Sequence, residues 1–300
     1  MSRRLARLFE EKSIRVVGFV PPEYLGYHMQ AALFLRSRSD PETLAKRLAA
    51  LPQFTMVMTA FGFCDVIAYG IAQHGPALAA LLDSHIHGQP DVAESDMRVI
   101  LGFAEPALQP GAPGATSAPR PLDSTDRRII REVQSDGRVS FTDLATAIGI
   151  SPTSAADRFR RLVTDGIVRV LGMPDPRRVG LLLTGYMHFK VDQSSTAVIS
   201  GLSKLPEIGF VTIMSGEWPV ACEFMVRNDA HLDDLQKRVM ATPGVHEIRV
   251  ALHRHVHRMS MVFEPANEAA LDQDSAAAPA APPGAREPGG SLQEPRRASA

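Results

Sequence analysis

The reading of the chain turns on residues 140–166, SFTDLATAIGISPTSAADRFRRLVTDG, which write two helices around a glycine turn. Ser140 precedes a short apolar stripe of Leu144, Ala145 and Ile148. Asp143 follows three residues on as a capping-box acid, and Gly149 ends the stripe. Ser151 caps the next helix, with Pro152 at its first position, where a missing N–H is harmless. Ala155, Phe159, Leu162 and Val163 then recur at i, i+4, i+7 and i+8, a buried stripe. Upstream, Asp123 or Ser124 opens another helix carrying Ile129, Ile130 and Val133, and Asp136-Gly137 stops it. Helix, short glycine-containing turn, helix is the helix-turn-helix arrangement.

The last helix of that unit keeps Thr153, Ser154, Asp157, Arg158, Arg160 and Arg161 off its apolar stripe, with Ser151 at its start. Hydroxyls near a helix N-terminus reach phosphates or base edges, and arginine grips a guanine or a phosphate. These residues are the candidate contacts to double-stranded DNA. After Gly166, residues 167–171 read as a strand and 172–176 as a turn. That predicts a wing whose Arg169, Arg177 and Arg178 meet backbone phosphates.

Working outward, the chain repeats itself at an offset of about 154 residues. Arg15-Val16-Val17-Gly18 falls on Arg169-Val170-Leu171-Gly172, Pro22 on Pro176, Gly26 on Gly180, Leu51-Pro52 on Leu205-Pro206 and Gly62 on Gly216. Glycine and proline mark special backbone positions, so shared spacing means shared turns. In each copy the apolar periodicity gives the order β-α-β-β-α-β. The segments are 31–35, 41–51, 55–60, 66–72, 75–87 and 92–101 in the first copy, and 182–189, 195–205, 208–214, 220–226, a helix from 228 or 229, and 245–256 in the second. This is the ferredoxin-like split βαβ order. The fold class is therefore α+β, a winged helix-turn-helix plus two ferredoxin-like βαββαβ domains.

Punctuation supplies the boundaries: 1–26, the end of a helix-turn-helix with its wing; 27–104, the first ferredoxin-like copy; 105–121, a Pro/Gly-rich linker; 122–180, the winged helix-turn-helix; 181–263, the second copy; and 264–300, a tail too poor in large apolar side chains to order itself. Formal net charge is -1, so nucleic-acid binding must come from a local patch. No apolar run approaches the roughly 20 residues that span a membrane. Two cysteines, Cys64 and Cys222, exclude a disulfide scaffold and a cysteine-built zinc site. A reduced, cytoplasmic chain is expected.

Residues 122–130, LDSTDRRII, resemble the opening of the Lrp/AsnC regulators. GRVS at 137–140, Leu144-Ala145, residues 148–151, RFRRL at 158–162 and DGIV at 165–168 continue the match. The resemblance implies a winged helix-turn-helix joined to a ferredoxin-like effector domain, the RAM domain. It also implies transcription regulation in response to an amino acid or related small molecule. The family's glycine-turn signature fits Thr59-Ala60-Phe61-Gly62-Phe63-Cys64-Asp65, which makes Gly62, Phe63 and Asp65 candidate effector residues: turn N–H groups for a carboxylate, Asp65 for an ammonium. The second copy offers Gly216 and Glu217, but Pro219 stands in place of the aspartate. Siroheme decarboxylases resemble the same family, so an enzyme on this architecture is the alternative. There, histidines and arginines of the RAM-like part would serve a tetrapyrrole. The cationic recognition helix favours DNA. No cofactor, metal or catalytic constellation is expected.

His253, His255 and His257 alternate, so an unbroken strand puts them on one face. Three imidazoles there would suit zinc. With no acidic or cysteine partner nearby in sequence, and Arg254 and Arg258 interleaved, the expected role is a solvated or interface-facing strand end. One complete helix-turn-helix per chain predicts a homo-oligomer, because a palindrome needs two heads. Arg4, Leu8 and Arg7 align with Arg158, Leu162 and Arg161, as if the first copy began partway through a reading head. Either an in-frame upstream stretch of roughly 40–50 codons completes it, which is the expectation because the cationic and apolar spacing is kept, or this copy has lost its reading head and the remnant helix packs elsewhere.

Overall fold

The computed structural model describes residues 9, 11, 13–104, 120–192, 195–260 and 263. Residues 105–119 of the expected 105–121 linker, the tail beyond 263 and the first eight residues lie outside them. The first ferredoxin-like copy runs β2 (Met29–Ser37), α1 (Pro41–Ala49), β3 (Phe54–Gly62), β4 (Val66–Ala72), α2 (Gly75–His85) and β5 (Val92–Ala104). The second runs β7 (Leu183–Val191), α6 (Ser195–Leu202), β8 (Ile208–Met214), β9 (Val220–Val226), α7 (Asp229–Met240) and β10 (Val245–Met259). No helix among the described residues is long and apolar enough to cross a membrane.

Strand length decides how the copies meet. β5 has 13 residues and β10 has 15, against 7 to 9 in the other strands of the sheet. The first part of β5 pairs with β2, and its end pairs with β8, Ile100 opposite Met214. β10 pairs first with β7 and then crosses to β3, Ala251 opposite Gly62. The result is a closed eight-stranded barrel, β10-β3-β4-β2-β5-β8-β9-β7. Closure removes the free edges on which either half-sheet would otherwise aggregate. Gly62 lies at one seam with φ 133°, and a Cβ there would sit 2.2 Å from Val250 O. Only glycine permits that approach.

Alternation along each strand then makes three cores. Leu33, Leu35, Val57 and Ala68 face α1 and α2. Met187, Phe189, Cys222 and Phe224 face α6 and α7. The opposite faces of both half-sheets turn into the barrel, where Phe34, Ile67 and Tyr69 of one copy meet Tyr186, Met214 and Ala221 of the other.

The helix-turn-helix follows its caps. In α3 (Ser124–Ser135), α4 (Phe141–Ile148) and α5 (Pro152–Thr164), the N-cap side chains of Asp123, Ser140 and Ser151 accept from Asp126 N, Asp143 N and Ser154 N. Gly149 closes α4 in the left-handed region at φ 73°. Ile129, Ile130, Val133, Leu144, Ile148 and Leu162 bury together, while Val163, at the end of the expected stripe, is 40% exposed.

The expected wing is different. β6 (Arg169–Pro174) folds no hairpin with the residues after it. It pairs antiparallel with β1 (Ile14–Phe19), from Ile14 opposite Pro174 to Phe19 opposite Arg169. Two glycines seat that ribbon on α3. Gly137 N donates to Val16 O at 3.0 Å, and a Cβ on Gly18 would lie 2.8 Å from Val133 O. Val20 and Leu25, which the sequence assigned to the end of the first copy's own reading head, pack instead in the core of α3–α5.

Candidate functional site

Thr153, Ser154, Asp157, Arg160 and Arg161 are exposed on α5. Ser151 Oγ caps the helix and donates to Ser154 Oγ at 3.0 Å. Arg160 pairs with Asp157 at 2.8 Å, both side chains more than 60% exposed, a weakly held contact that a phosphate can displace. Arg161 carries no ion pair among the described residues. Arg169 stacks its guanidinium over Phe19, 5.2 Å from the ring centroid.

Arg158 departs from the expected DNA face. Its Nη1 donates to Asp123 Oδ2 at 2.6 Å and to Asp126 Oδ1 at 3.0 Å. Asp126 is 1% exposed and also accepts from Arg120 at 2.6 Å. A carboxylate removed from water needs such partners, so Arg158 ties α5 to α3. The signal was present in the sequence: Asp126 falls on the stripe of Ile129, Ile130 and Val133, where an acid demands a cation.

The two glycine turns also depart from their expected roles. Asp65 accepts from Arg36 Nη1 at 2.9 Å and from Ser37 N at 3.0 Å, and Gly62 O accepts from Arg36 Nη2 at 2.8 Å. The cation expected from a ligand comes from the chain itself. In the other copy Glu217 pairs with Lys190 at 2.7 Å, and Gly216 turns at φ 91° beside the Arg98 guanidinium. Phe63 lies deeper, its ring centroid 4.6 Å from that of His188 and 5.6 Å from that of Phe34.

Between the turns, both copies build one polar cluster that sequence reasoning missed. The Arg249 guanidinium lies between Phe63, 4.2 Å from its centroid, and Trp218, 4.6 Å from its centroid. Its Nη2 donates to Asp96 Oδ2 at 3.0 Å and to His188 Nδ1 at 3.2 Å. Arg98 grips the same Asp96 through Nε and Nη2. Asp96 sits below the ordinary carboxylate range: burial opposes the shift, and the hydrogen bonds from the two arginines outweigh it. Burial, then the charge of Arg249, holds His188 neutral, well below its ordinary pKa. Accepting at Nδ1, a neutral His188 carries its proton on Nε2. His188 Nε2, Arg98 Nη1 and Arg249 Nε are buried without a hydrogen-bond partner among the described residues. Beside them lies a recess of about 240 Å³ lined by Phe34, Arg36, Phe63, Glu94, Ser95, Asp96 and Arg249, where the guanidiniums of Arg36 and Arg249 are the donors a ligand can meet and Glu94 and Asp96 balance their charge. The arrangement suits an anion with an apolar body.

The histidine row divides. A register shift between His253 and His255 sends His253 into the barrel, where its Nδ1 lies 3.1 Å from Thr184 Oγ1. Burial presses its pKa down to about 4. His255 and His257 stay outside, beside α1. Cys64 and Cys222 are buried and free, and burial pushes the Cys64 thiol up to about 12, as befits small apolar fillers.

A family profile for the AsnC-type helix-turn-helix domain matches residues 122–163. An HTH-type transcriptional regulator of Pyrococcus horikoshii is 24% identical over 140 residues, 46% of this chain and 93% of that protein. The leucine-responsive regulatory protein of Escherichia coli is 28% identical over 134 residues, 43% of this chain and 82% of that protein. The crystal structure of the siroheme decarboxylase NirDL shares the fold at a TM-score of 0.64 and 11% identity, covering 91% of this chain and 87% of that one.

Proposed function

The chain belongs to the Lrp/AsnC family of transcriptional regulators, and from that premise we propose that it binds specific DNA sequences through α5 under the control of a small carboxylate-bearing metabolite. The exposed face of α5 carries the reading. Thr153 and Ser154 lie at the helix end that enters the major groove, Arg161 is exposed on its outer face with no ion pair among the described residues, and Arg160 and Arg169 flank it. Asp157 holds Arg160 in reserve, and Arg158 holds the head together. Two chains associate to present two heads to a palindrome.

The effector is an amino acid or a related acid, in keeping with a leucine-responsive relative. Its carboxylate goes to Arg249, which Asp96 and Arg98 hold in place from behind, and its body goes against Phe63 and Phe34. Asp65, Gly62, Gly216 and Glu217 shape the two turns around that recess. A decarboxylase on the same frame is the second reading, favoured by the buried His188 that accepts from Arg249, with Arg98 held nearby on Asp96. Added siroheme bound with a haem-type absorption band would support that reading.

The regulator reading is tested with a duplex selected by the purified protein from a random library. Arg161→Ala should cost about 1–3 kcal/mol of binding, roughly 5- to 150-fold, without changing the melting temperature. Failure to select any sequence, or unchanged affinity in Arg161→Ala, would overturn the assignment of α5.

A further inference from the structure

Glu42 and the pair His255 and His257 are more than 200 residues apart, yet the barrel seam brings them together. β10 crosses from the second copy to lie against β3 and α1 of the first. There the register shifts place His255 opposite Thr59 and Arg258 opposite Val57. Glu42 stands in the first turn of α1. Thr59 Oγ1 donates to its Oε1 at 3.0 Å, which fixes the carboxylate and leaves Oε2 toward the imidazoles. His257 Nε2 lies 3.0 Å from Oε2, and His255 Nδ1 lies 4.0 Å from it. The ligand atoms of all three residues fall within 4.8 Å of one another.

The His257 side chain is 6% exposed. Its Nε2 is buried and makes no hydrogen bond among the described residues, despite the 3.0 Å separation. The nitrogen and the carboxylate oxygen stand at ion-pair distance, a spacing that two ligands of one ion also take. A tetrahedral zinc with bonds of about 2.0–2.1 Å holds its donor atoms roughly 3.3 Å apart, and the observed 3.0 and 4.0 Å straddle that spacing.

We propose that Glu42, His255 and His257 form a site for one divalent transition-metal ion of the zinc class. Two imidazoles and one carboxylate supply three ligands, and the fourth position opens on the side of His255, whose side chain is 62% exposed. The imidazoles now stack, 14° from parallel with centroids 4.5 Å apart. The exposed His255 ring turns to bring its Nδ1 onto the ion. The hydrogen bond from Thr59 is the outer contact that orients a ligating carboxylate. Lys46, one turn along α1, and Arg254, stacked on Phe61 at 5.3 Å, are the cations that weaken the site. Because Glu42 belongs to the first copy and the histidines to the second, the ion pins one seam of the barrel.

The full chain, stripped with a chelator, is titrated with zinc chloride in a calorimeter and with cobalt(II) while visible absorption is followed. The expected result is one ion per chain, a tetrahedral-type cobalt spectrum and a higher melting temperature with zinc. Glu42→Gln keeps the acceptor for Thr59, and His255→Ala removes an exposed ring, so both variants should fold, which circular dichroism checks. Each should weaken zinc binding at least tenfold and abolish its thermal shift, while His87→Ala, on an exposed histidine elsewhere, changes neither. No binding by the parent, or binding that either Glu42→Gln or His255→Ala leaves unchanged, overturns the proposal.

Discussion

Replacing Glu223 with glutamine should stabilise the protein in mild alkali and leave it unchanged in mild acid. On β9, Val220, Cys222, Phe224 and Val226 pack under the helices, so the alternate residues Ala221 and Glu223 face the barrel interior. Among the described residues no donor reaches the Glu223 carboxylate, and burial pushes its pKa from the ordinary 4.5 to about 7. Between those values the folded protein holds a proton that the unfolded chain has released. The group's contribution is therefore complete below about pH 4.5 and is lost as pH rises through 7. At about 1.36 kcal/mol per pH unit the shift amounts to roughly 3 kcal/mol, and partial solvent contact halves it, giving about 1–2 kcal/mol.

Glutamine has no proton to lose, so Glu223→Gln should match the parent near pH 4.5 and exceed it by about 1–2 kcal/mol near pH 8. Urea unfolding, followed by the fluorescence of Trp218, the single tryptophan of the chain, measures the difference. His253, pressed down to about 4, works in the opposite sense: its contribution is lost as pH falls from about 6.5 toward 4. The neutral His188 behaves likewise. Both are present in parent and variant, so they cancel in the comparison. A variant stabilised equally at both pH values, or destabilised at pH 8, would refute the placement of a protonated Glu223 inside the barrel.

Two further substitutions test the packing. Arg158→Ala leaves buried Asp126 with Arg120 as its remaining guanidinium; because Arg158 is itself 37% exposed, the loss in urea unfolding should be about 1–2 kcal/mol, below the cost of removing a sole partner. Tyr69→Phe removes the 2.6 Å hydrogen bond to Tyr186 inside the barrel and strands the Tyr186 hydroxyl, so it should cost about 1–2 kcal/mol in the same assay.

What the sequence revealed was local. Each cap of α3, α4 and α5 is a contact over two or three residues, and a glycine in the left-handed region is needed wherever α4 ends abruptly. Apolar periodicity likewise ordered the strands and helices of both copies, because burial on one face is a property of each segment. What stayed hidden depends on register between distant segments. Arg158 reads as a free cation until α3 is folded against it. β6 reads as a short strand ending in a turn until β1, more than 150 residues earlier, takes its edge and the strand runs on to Pro174. The irregularity between His253 and His255 leaves no mark in an alternating sequence, yet it decides which imidazole enters the barrel and which meet Glu42.

The cluster around Arg249 was hidden for a further reason: neither copy contains it. At corresponding positions of the repeat the two halves now differ: Phe34 against His188, Arg36 against Lys190, Asp65 against Pro219, and Asp96 against Arg249. Identical halves would set like groups across the barrel, and two aspartates at the place of Asp96 and Arg249 would repel. With one member changed, the same positions give a 3.0 Å ion pair between Asp96 and Arg249 and an edge-on contact of Phe34 with His188, centroids 4.4 Å apart. A symmetric pair of separate chains cannot make that change, because each substitution appears on both sides of the axis. Two copies in one chain can. Asp96 and Arg98 come from β5 and His188 and Arg249 from β7 and β10, so the unpartnered nitrogens beside the recess arise only where the divergent halves meet.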